Sequence, residues 1–251
     1  MAHNQRTDDI LKLLQRLRYV SVQELTERLD VSEVTIRKDL TTLEEMGYLL
    51  RTRGGAELAQ DSRLLKGITL RREEHVDEKT AIAEKACSLL RDGDTVYIDA
   101  GSTCMLMCSL IPPISLRVVT NSIDVMNRLG DVPDIQLVCV GGNYRREAGS
   151  FLGPMAVEVL KHYHFETCFL GTTGINDRLV FSSQNVLESQ LKEAVIGSSG
   201  RRVILCDSSK YGHTAFSAFA RKGDVDVLIT DGSFNKAQVF SESGIEVIIA
   251  Q

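Results

Sequence analysis

Glycine and small hydroxyl-bearing residues recur at the points where five apolar runs of the sequence end. Such residues offer backbone amides and hydroxyl groups as donors, and glycine lets a ligand approach the backbone closely. Any one of these stretches could be an ordinary turn, but five together, one of them ending in Lys210, predict a polar cleft that holds a small anion. The stretches are residues 99–103, 120–122, 141–142, 171–174 and 207–210.

The first of these stretches has the residues that a phosphate group needs. Gly101 permits close approach of the backbone, and Ser102 and Thr103 supply hydroxyl and amide donors. A helix is predicted to begin near Thr103 and to direct its positive end at the anion. Lys192 lies four residues after Glu188 on another predicted helix, where it is either half of an exposed ion pair or a second lysine of the cleft.

A different group of residues could read DNA bases. Val34, Thr35, Arg37 and Lys38 lie on or beside the face of a predicted helix that is opposite its apolar stripe. An apolar side chain directed away from its own core suits a thymine methyl, and the two cations suit guanine edges or phosphates. Residues near the N-terminus of a helix in the major groove make such contacts. The sequence therefore predicts base reading by these residues, without deciding which cation contacts a base.

The helix that carries these residues has clear start signals. Ser32 can cap its N-terminus, and Val31 with Ile36 can form a hydrophobic staple across the cap. Residues 21–24 form a capping box for a preceding helix, and a three-residue connection separates the two, which predicts a helix-turn-helix. An earlier helix is predicted to complete the core through apolar residues at helical spacing, namely Ile10, Leu13, Leu14 and Leu17.

A basic β-hairpin is predicted after the recognition helix. Gly47 ends that helix, and residues 48–53 alternate toward a Gly-Gly turn, with Arg51 and Arg53 on one face. Together with the capped helices, the hairpin predicts a winged helix-turn-helix over residues 1–57.

Length and charge limit the functions open to the chain. Its 251 residues can hold one small and one larger domain. The net charge is −5, and residues 1–60 hold similar numbers of basic and acidic residues, so DNA binding depends on where the cations lie. Salt-dependent binding is expected from one surface that holds Arg6, Arg37, Lys38, Arg51 and Arg53.

The remainder of the chain alternates strands and helices. Near-continuous apolar runs separated by helical patterns indicate a mainly parallel, Rossmann-like sheet covered on both faces, in an α/β domain over residues 79–251. Ligands of such sheets bind at the carboxyl ends of the strands, where the polar stretches lie. A helix is predicted at residues 79–90, after a polar linker at 58–78. The predicted strands are residues 95–99, 116–120, 135–140, 167–170, 202–206, 225–230 and 246–250.

Cysteine usage and hydropathy predict a cytoplasmic protein. The six cysteines form no CxxC pair, so buried reduced thiols are expected, and neither a metal site nor a cofactor is predicted. The polar N-terminus lacks the pattern of a signal peptide, and no apolar run is long enough to cross a membrane.

Five motifs resemble those of the DeoR-type bacterial transcription regulators, in that family's order and spacing. The resemblance implies a winged helix-turn-helix joined to a sensor domain similar to ribose-phosphate isomerases and CoA-transferases. It also implies repression of a carbohydrate-utilisation operon and release from operator DNA by a phosphorylated sugar. The motifs are Val-Ser-Glu-Val-Thr-Ile-Arg-Lys-Asp-Leu (31–40), Arg-Gly-Gly-Ala (53–56), Asp-Gly-Asp-Thr-Val-Tyr-Ile-Asp-Ala-Gly-Ser-Thr (92–103), Val-Val-Thr-Asn-Ser (118–122) and Cys-Asp-Ser-Ser-Lys-Tyr-Gly (206–212).

The resemblance also implies site residues and partners. A homo-oligomer, dimeric or tetrameric, would place two recognition helices on an inverted repeat of double-stranded operator DNA. The DNA-binding residues would be Ser32, Val34, Thr35, Arg37, Lys38, Arg51 and Arg53. The effector pocket would be lined by Asp99, Gly101, Ser102, Thr103, Thr120, Asn121, Ser122, Gly141, Gly142, Gly171, Glu188, Lys192 and Lys210.

Two other functions remain open. In a sugar-phosphate isomerase or transferase, Asp99, Glu188 or Asp207 would act as a general base while Lys192 or Lys210 stabilises an enediolate. The DNA-reading domain would then have no purpose, so a non-enzymatic protein is predicted. A thiol redox or metal sensor would use the cysteines or histidines that lie close in sequence, which are Cys104 with Cys108 and His162 with His164.

Overall fold

The computed structural model describes residues 5–45, 49–58 and 68–251. The chain divides into two compact units, Met1–Lys66 and Gly67–Gln251. The predicted helix end at Gly47 lies outside the described residues, as do residues 59–67 of the predicted linker.

The described part of the N-terminal unit has the order of a winged helix-turn-helix. The three helices are accompanied by an antiparallel sheet with strand order β1-β3-β2, whose first strand lies between the first and second helices. Its elements are α1 (Gln5–Leu17), β1 (Tyr19–Ser21), α2 (Val22–Leu29), α3 (Glu33–Glu45), β2 (Leu49–Thr52) and β3 (Gly55–Leu58).

Capping and burial explain how these helices pack. The Ser21 hydroxyl accepts a hydrogen bond from the Glu24 amide at 3.0 Å, so the capping signal ahead of α2 is confirmed. The predicted inward face of α1 is wrong at Leu17, which is 40% exposed, whereas Leu11 is buried. Leu17 is the last residue of α1 and the chain turns at Arg18 (φ 65°), so its side chain lies beyond the core.

The second unit is built on one parallel sheet, as its sequence predicts. The strand order is β15-β14-β12-β9-β4-β5-β6. Its strands are β4 (Thr95–Ile98), β5 (Leu116–Thr120), β6 (Ile135–Cys139), β9 (Phe165–Gly171), β12 (Ser199–Leu205), β14 (Val227–Asp231) and β15 (Glu246–Ala250). The helices are α4 (Ile68–Glu73), α5 (Val76–Cys87), α6 (Ser102–Met107), α7 (Ile123–Leu129), α8 (Pro154–Leu160), α9 (Val186–Gly197) and α10 (Ala237–Glu242).

Both faces of this sheet are buried. On β4, Tyr97 packs into one apolar cluster, while Val96 and Ile98 pack into another on the opposite face. This alternation explains why the strands read as continuous apolar runs, and it confirms the prediction of a doubly covered sheet.

Two parts of the second unit differ from the prediction. Residues 68–73 are helical and α5 begins at Val76, so the second half of the predicted linker is folded and the helix predicted at 79–90 begins earlier. Several short antiparallel strands were also missed, because segments this short carry no clear alternating pattern. They are β7 (Asn143–Arg145), β8 (Ser150–Leu152), β10 (Gly174–Ile175), β11 (Phe181–Ser183) and β13 (Ser217–Ala220).

Candidate functional site

The exposed face of α3 is arranged as the sequence predicts. The Ser32 hydroxyl accepts a hydrogen bond from the Thr35 amide at 3.3 Å and so caps the helix. Ile36 and Leu40 are fully buried, whereas Val34 is 78% exposed. An exposed fraction this large for a valine in a folded unit leaves both methyl groups available to a partner.

The cations around α3 differ in how they are engaged. The Arg37 guanidinium donates to Glu33 Oε1, with an Nη2–O distance of 2.5 Å, whereas exposed Lys38 has no ion-pair partner among the described residues. Arg51 donates to Thr41 Oγ1 at 2.8 Å, which ties β2 to α3. Arg53 is exposed at the end of β2. Lys38 and Arg53 are therefore the cations most readily available to DNA.

Arg6, which the sequence groups with these cations, has a different role. Its Nε donates to Asp39 Oδ2 at 2.6 Å, so it joins α1 to the recognition helix. Because Asp39 compensates its charge, Arg6 holds α1 against α3 and is less available to an external anion than an unpaired arginine.

A cavity lies at the carboxyl ends of four neighbouring strands, β12, β9, β4 and β5. Ligands of parallel sheets bind at this edge. Most of the residues predicted for the effector pocket line it, namely Asp99, Gly101, Ser102, Thr103, Asn121, Gly171, Glu188, Lys192 and Lys210.

Four predicted pocket residues do not line the cavity, because they have structural roles nearby. The Thr120 hydroxyl donates to a carbonyl of β4 at 2.6 Å and accepts from the Ser122 amide at 3.0 Å. Ser122 caps α7. Gly141 and Gly142 follow β6, which is one of the two edge strands, and have φ angles of 66° and 112°. Glycine and hydroxyl-bearing residues are also typical of turns and helix caps, and this explains why these four residues were predicted to contact a ligand.

A buried ion pair forms one side of the cavity. Lys192 Nζ lies 3.1 Å from Asp99 Oδ2 and donates to the Gly171 carbonyl at 2.5 Å. Asp99 Oδ2 also accepts from the Gly171 amide at 3.0 Å, and Lys192 Nζ lies 4.9 Å from the centre of the Phe219 ring. Since Lys192 is buried and paired with Asp99, it is not half of an exposed helical pair with Glu188.

Two glycines bring the chain close together on the cavity wall. A Cβ atom built on Gly101 would lie 3.6 Å from the Gly171 Cα, and one built on Gly171 would lie 3.6 Å from Asp99 Oδ2. These are ordinary van der Waals distances, and the φ of Gly101 is −83°. The fold therefore has room for alanine at residue 101, which itself lines the cavity.

The cavity also has lining residues that the sequence prediction missed. Two are basic, Arg71 in α4 and Lys79 in α5. Lys79 falls on the same helical stripe as the buried residues Ile82, Ala83 and Ala86, and a lysine on an apolar stripe was the available signal. The others are Ala148, Ser150, Leu152, Leu191, Leu205 and Cys206, while Ala100, Thr172, Thr173 and Asp207 also line the cavity and belong to the predicted polar stretches.

The charged groups that line the cavity differ in how they are paired. Each carboxylate that lines the cavity already has a basic partner, whereas Arg71 and Lys79 have no carboxylate partner in the described parts of the chain. An anion would therefore meet its strongest uncompensated attraction near these two side chains. The existing pairs are Asp99 with Lys192, Glu188 with Arg145 at 2.9 Å, and Asp207 with Lys210 at 3.7 Å.

The pKa of the Lys79 side chain is sensitive to charges placed beside it. Burial lowers the pKa of Lys79 to about 8. Asp207 and Glu74 raise that pKa, while Lys210 and Arg71 lower it further, and burial outweighs them all. An anion placed beside Lys79 would favour its charged form.

A pH-dependent affinity for anions follows. Below its pKa of about 8 Lys79 is charged and attracts the ligand, whereas above that pH binding must first take up a proton. We expect the affinity for a phosphate monoester to fall roughly tenfold between pH 7 and pH 9, a range in which the phosphate itself stays a dianion. Isothermal titration calorimetry measures this, and Lys79→Met should bind more weakly with a flatter profile. A flat profile for the unaltered chain would contradict the role of Lys79.

The thiol and metal alternatives find no support in the described residues. Cys104 and Cys108 are buried, and burial raises the pKa of both thiols, that of Cys108 to about 12. Protonated, shielded thiols react slowly. His162 and His164 are exposed, and within the described ranges no three His, Cys, Asp or Glu side chains are grouped to hold a metal ion.

No helix in the described part of the chain has both the length and the apolar character to span a bilayer.

Two family models match the sequence. The DeoR-like helix-turn-helix domain matches residues 6–62, and the DeoR C terminal sensor domain matches residues 74–232. Together these matches cover most of the chain.

Individual proteins are similar over most of their length. The chain is 35% identical over 226 residues to the uncharacterized HTH-type transcriptional regulator FruR of Bacillus subtilis (strain 168), with 88% of each chain covered. It is 31% identical over 248 residues to a lactose phosphotransferase system repressor of Staphylococcus epidermidis, covering 97% of this chain and 98% of that one. Among solved structures, ribose 5-phosphate isomerase A from Methanocaldococcus jannaschii matches 55% of each chain with 18% identity and a TM-score of 0.41.

Proposed function

The chain belongs to the DeoR family of transcriptional regulators, and from this premise we propose that it represses a carbohydrate-utilisation operon and leaves its operator when a phosphorylated sugar binds. We propose that it acts in the bacterial cytoplasm, where the chromosome lies. The lactose phosphotransferase system repressor among its relatives supports a carbohydrate role.

The DNA half of this proposal rests on α3. Its capped N-terminal turn presents an apolar Val34 beside exposed Lys38, a pair that suits a thymine methyl and a neighbouring guanine or phosphate. We propose that a symmetric homo-oligomer places two such helices on an inverted repeat, because single short helices bind operators weakly.

The effector half rests on one observation, which carries the proposal. The cavity contains two basic side chains, Arg71 and Lys79, that have no carboxylate partner among the described residues, next to the backbone of Gly101 and the hydroxyls of Ser102 and Thr103. A dianion with hydroxyl groups satisfies both the charges and the donors. Helix α6 has only six residues, so we assign the attraction to the cations and not to a helix dipole.

Effector binding can release DNA only by preferring one arrangement of the protein. A ligand that binds the DNA-bound and DNA-free arrangements equally shifts nothing, and nearly complete switching needs about a 10⁴-fold preference. We therefore propose that the sugar phosphate binds the DNA-free arrangement more tightly.

We propose no catalytic turnover. Asp99 is paired with Lys192, and Glu188 is paired with Arg145. Asp207 Oδ1 accepts a hydrogen bond from the Ser209 amide at 3.1 Å. Each of these three carboxylates is therefore already engaged by groups of the protein itself, and none is left free to act on a substrate proton.

The Gly101→Ala variant tests the effector half. We expect this variant to bind operator DNA normally but to need at least about tenfold more sugar phosphate for release, because the methyl group is added to the backbone that we propose the ligand approaches. Operator duplexes would be selected from random DNA, and their affinity measured with and without glucose 6-phosphate, fructose 1-phosphate and ribose 5-phosphate.

Two controls make this test decisive. Gly197→Ala is the matched variant, since Gly197 ends α9 and a Cβ atom there meets nothing within 4 Å. It should respond to effector as the unaltered chain does. If operator affinity of the unaltered chain stays constant across a broad panel of sugar phosphates, the effector proposal is wrong and the DNA-binding proposal stands.

A further inference from the structure

One side of the small sheet in the N-terminal unit carries large apolar side chains that face solvent. Strand register places Tyr19 of β1, Glu57 of β3 and Leu50 of β2 in one row on that side. Their neighbours in the strands point the other way, and of these Val20 and Ala56 are fully buried. Tyr19 and Leu50, by contrast, are 46% and 49% exposed. The solvent side of an antiparallel sheet is usually polar, so this row indicates a surface that binds a partner.

The apolar surface extends beyond this row. Leu17, the exposed last residue of α1, lies two residues before Tyr19. The phenol end of Tyr19 lies over Gly55 of β3, where an added Cβ atom would be 2.7 Å from the phenol oxygen. The tyrosine side chain therefore lies along the surface of the sheet. The outer face, as we term this surface, comprises Leu17, Arg18, Tyr19, Leu50 and Glu57.

The outer face holds one basic and one acidic side chain next to Tyr19. Arg18 precedes Tyr19 in the chain, and Glu57 lies opposite Tyr19 in the neighbouring strand. Both are exposed, and neither has an ion-pair partner among the described residues. Under a two-fold axis that passes beside Tyr19, Arg18 of each copy would meet Glu57 of the other. The outer face is therefore complementary in charge to a second copy of itself, whereas Glu57 would repel the phosphates of a nucleic acid.

We propose that the outer faces of two copies of this chain pack against each other about a two-fold axis. Sheets stack face to face through apolar side chains, which Leu17, Tyr19 and Leu50 supply here. Next to Leu50 in β2, Arg51 donates to Thr41 of α3, so this packing would hold two recognition helices in a fixed relation. The inference rests on the proposed function, whose symmetric homo-oligomer it extends by naming the surface that joins the DNA-binding units.

Disulfide trapping in the full chain tests this packing, and it suits a contact between small faces, which is expected to be weak. Tyr19→Cys would be made together with Cys139→Ser, because the other five native cysteines are buried. Near the two-fold axis the two introduced thiols come within bonding distance, so diamide should oxidise them to a disulfide that joins two chains. The matched control is Val34→Cys, which lies on the exposed side of α3 and should cross-link at least about tenfold more slowly.

Charge reversal tests whether the partner is a second copy. Adding Arg18→Glu or Glu57→Arg to Tyr19→Cys sets like charges against each other across the axis, so cross-linking should slow at least about fivefold. The two reversals together restore opposite charges and should restore the rate, which is expected only if the outer face meets a copy of itself. Both side chains are exposed, so thermal unfolding of these variants should match that of Tyr19→Cys.

The outcomes separate this proposal from the proposed function. If Tyr19→Cys cross-links no faster than Val34→Cys, or if the double reversal stays as slow as the single ones, the outer face does not pack against a second copy. The DNA and effector proposals then stand, because a homo-oligomer can be joined through other surfaces. Trapping uses neither DNA nor sugar phosphate, so a failure of operator binding or of effector release would leave its result unchanged.

Discussion

Replacing Val34 with aspartate is expected to lower operator affinity at least about 100-fold without destabilising the protein. The substitution places a carboxylate on the face predicted to enter the major groove, where it meets phosphates of like charge. Val34 is 78% exposed, so no core contact is lost. As the second residue of α3, it lies where a negative charge favours the helix. The substitution should therefore lower the affinity for operator DNA and leave the stability of the protein unchanged.

Fluorescence anisotropy with a selected operator duplex measures the affinity, and thermal unfolding measures stability. Val239→Asp is the matched control, because Val239 is also exposed and lies in the first turn of α10, outside the N-terminal unit. Val34→Ala, which removes only the methyl groups, should cost less than Val34→Asp. Operator affinity unchanged in Val34→Asp would rule out α3 as the reading helix.

Replacing Lys192 with methionine is expected to destabilise the second unit by about 3–5 kcal/mol. The change leaves Asp99, only 4% exposed, without its cationic partner, and the Gly171 amide alone cannot compensate a buried charge. Urea unfolding followed by circular dichroism measures this, and suits a chain that contains no tryptophan. The two units are compact separately, so two transitions should be fitted.

Two comparisons show whether the loss comes from the buried charge. Lys161→Met breaks an exposed pair with Glu158 at 2.7 Å and should leave unfolding unchanged, because solvent screens that pair. The double variant Lys192→Met/Asp99→Asn should be more stable than Lys192→Met, since asparagine leaves no unpaired charge. If Lys192→Met were as stable as the unaltered chain, the ion pair between Lys192 and Asp99 would not contribute to the stability of the second unit.

Local patterns were sufficient to predict the elements that form the framework. Leu116–Thr120 and Glu246–Ala250 are strands with the predicted bounds, because strands buried on both faces must be apolar throughout. The exposed position of Val34 was predictable from helical periodicity and the Ser32 cap. Each of these features depends on residues within one or two turns of the chain.

Functional positions beyond the framework were harder to predict. Thr120 and Ser122 satisfy backbone groups, although their residue types resemble those of a ligand site. Arg71 was assigned to a linker, because a polar segment of mixed charge carries no sign of the cavity that its side chain will enter. The base reading and effector contacts themselves stay predictions until DNA and ligand binding are measured.

By itself, the sequence of this protein determined the strands of the main sheet and most of the helices, that the sheet is parallel, and which motifs place the chain in its family. Those properties follow from periodicity, capping and turn chemistry, which act between near neighbours. Only the tertiary structure decided that Lys192 pairs with Asp99 and that Arg71 and Lys79 share a cavity in which neither has a carboxylate partner from the described ranges. Contacts between residues far apart in the chain depend on how the strands are ordered in the sheet, and no local pattern records that order.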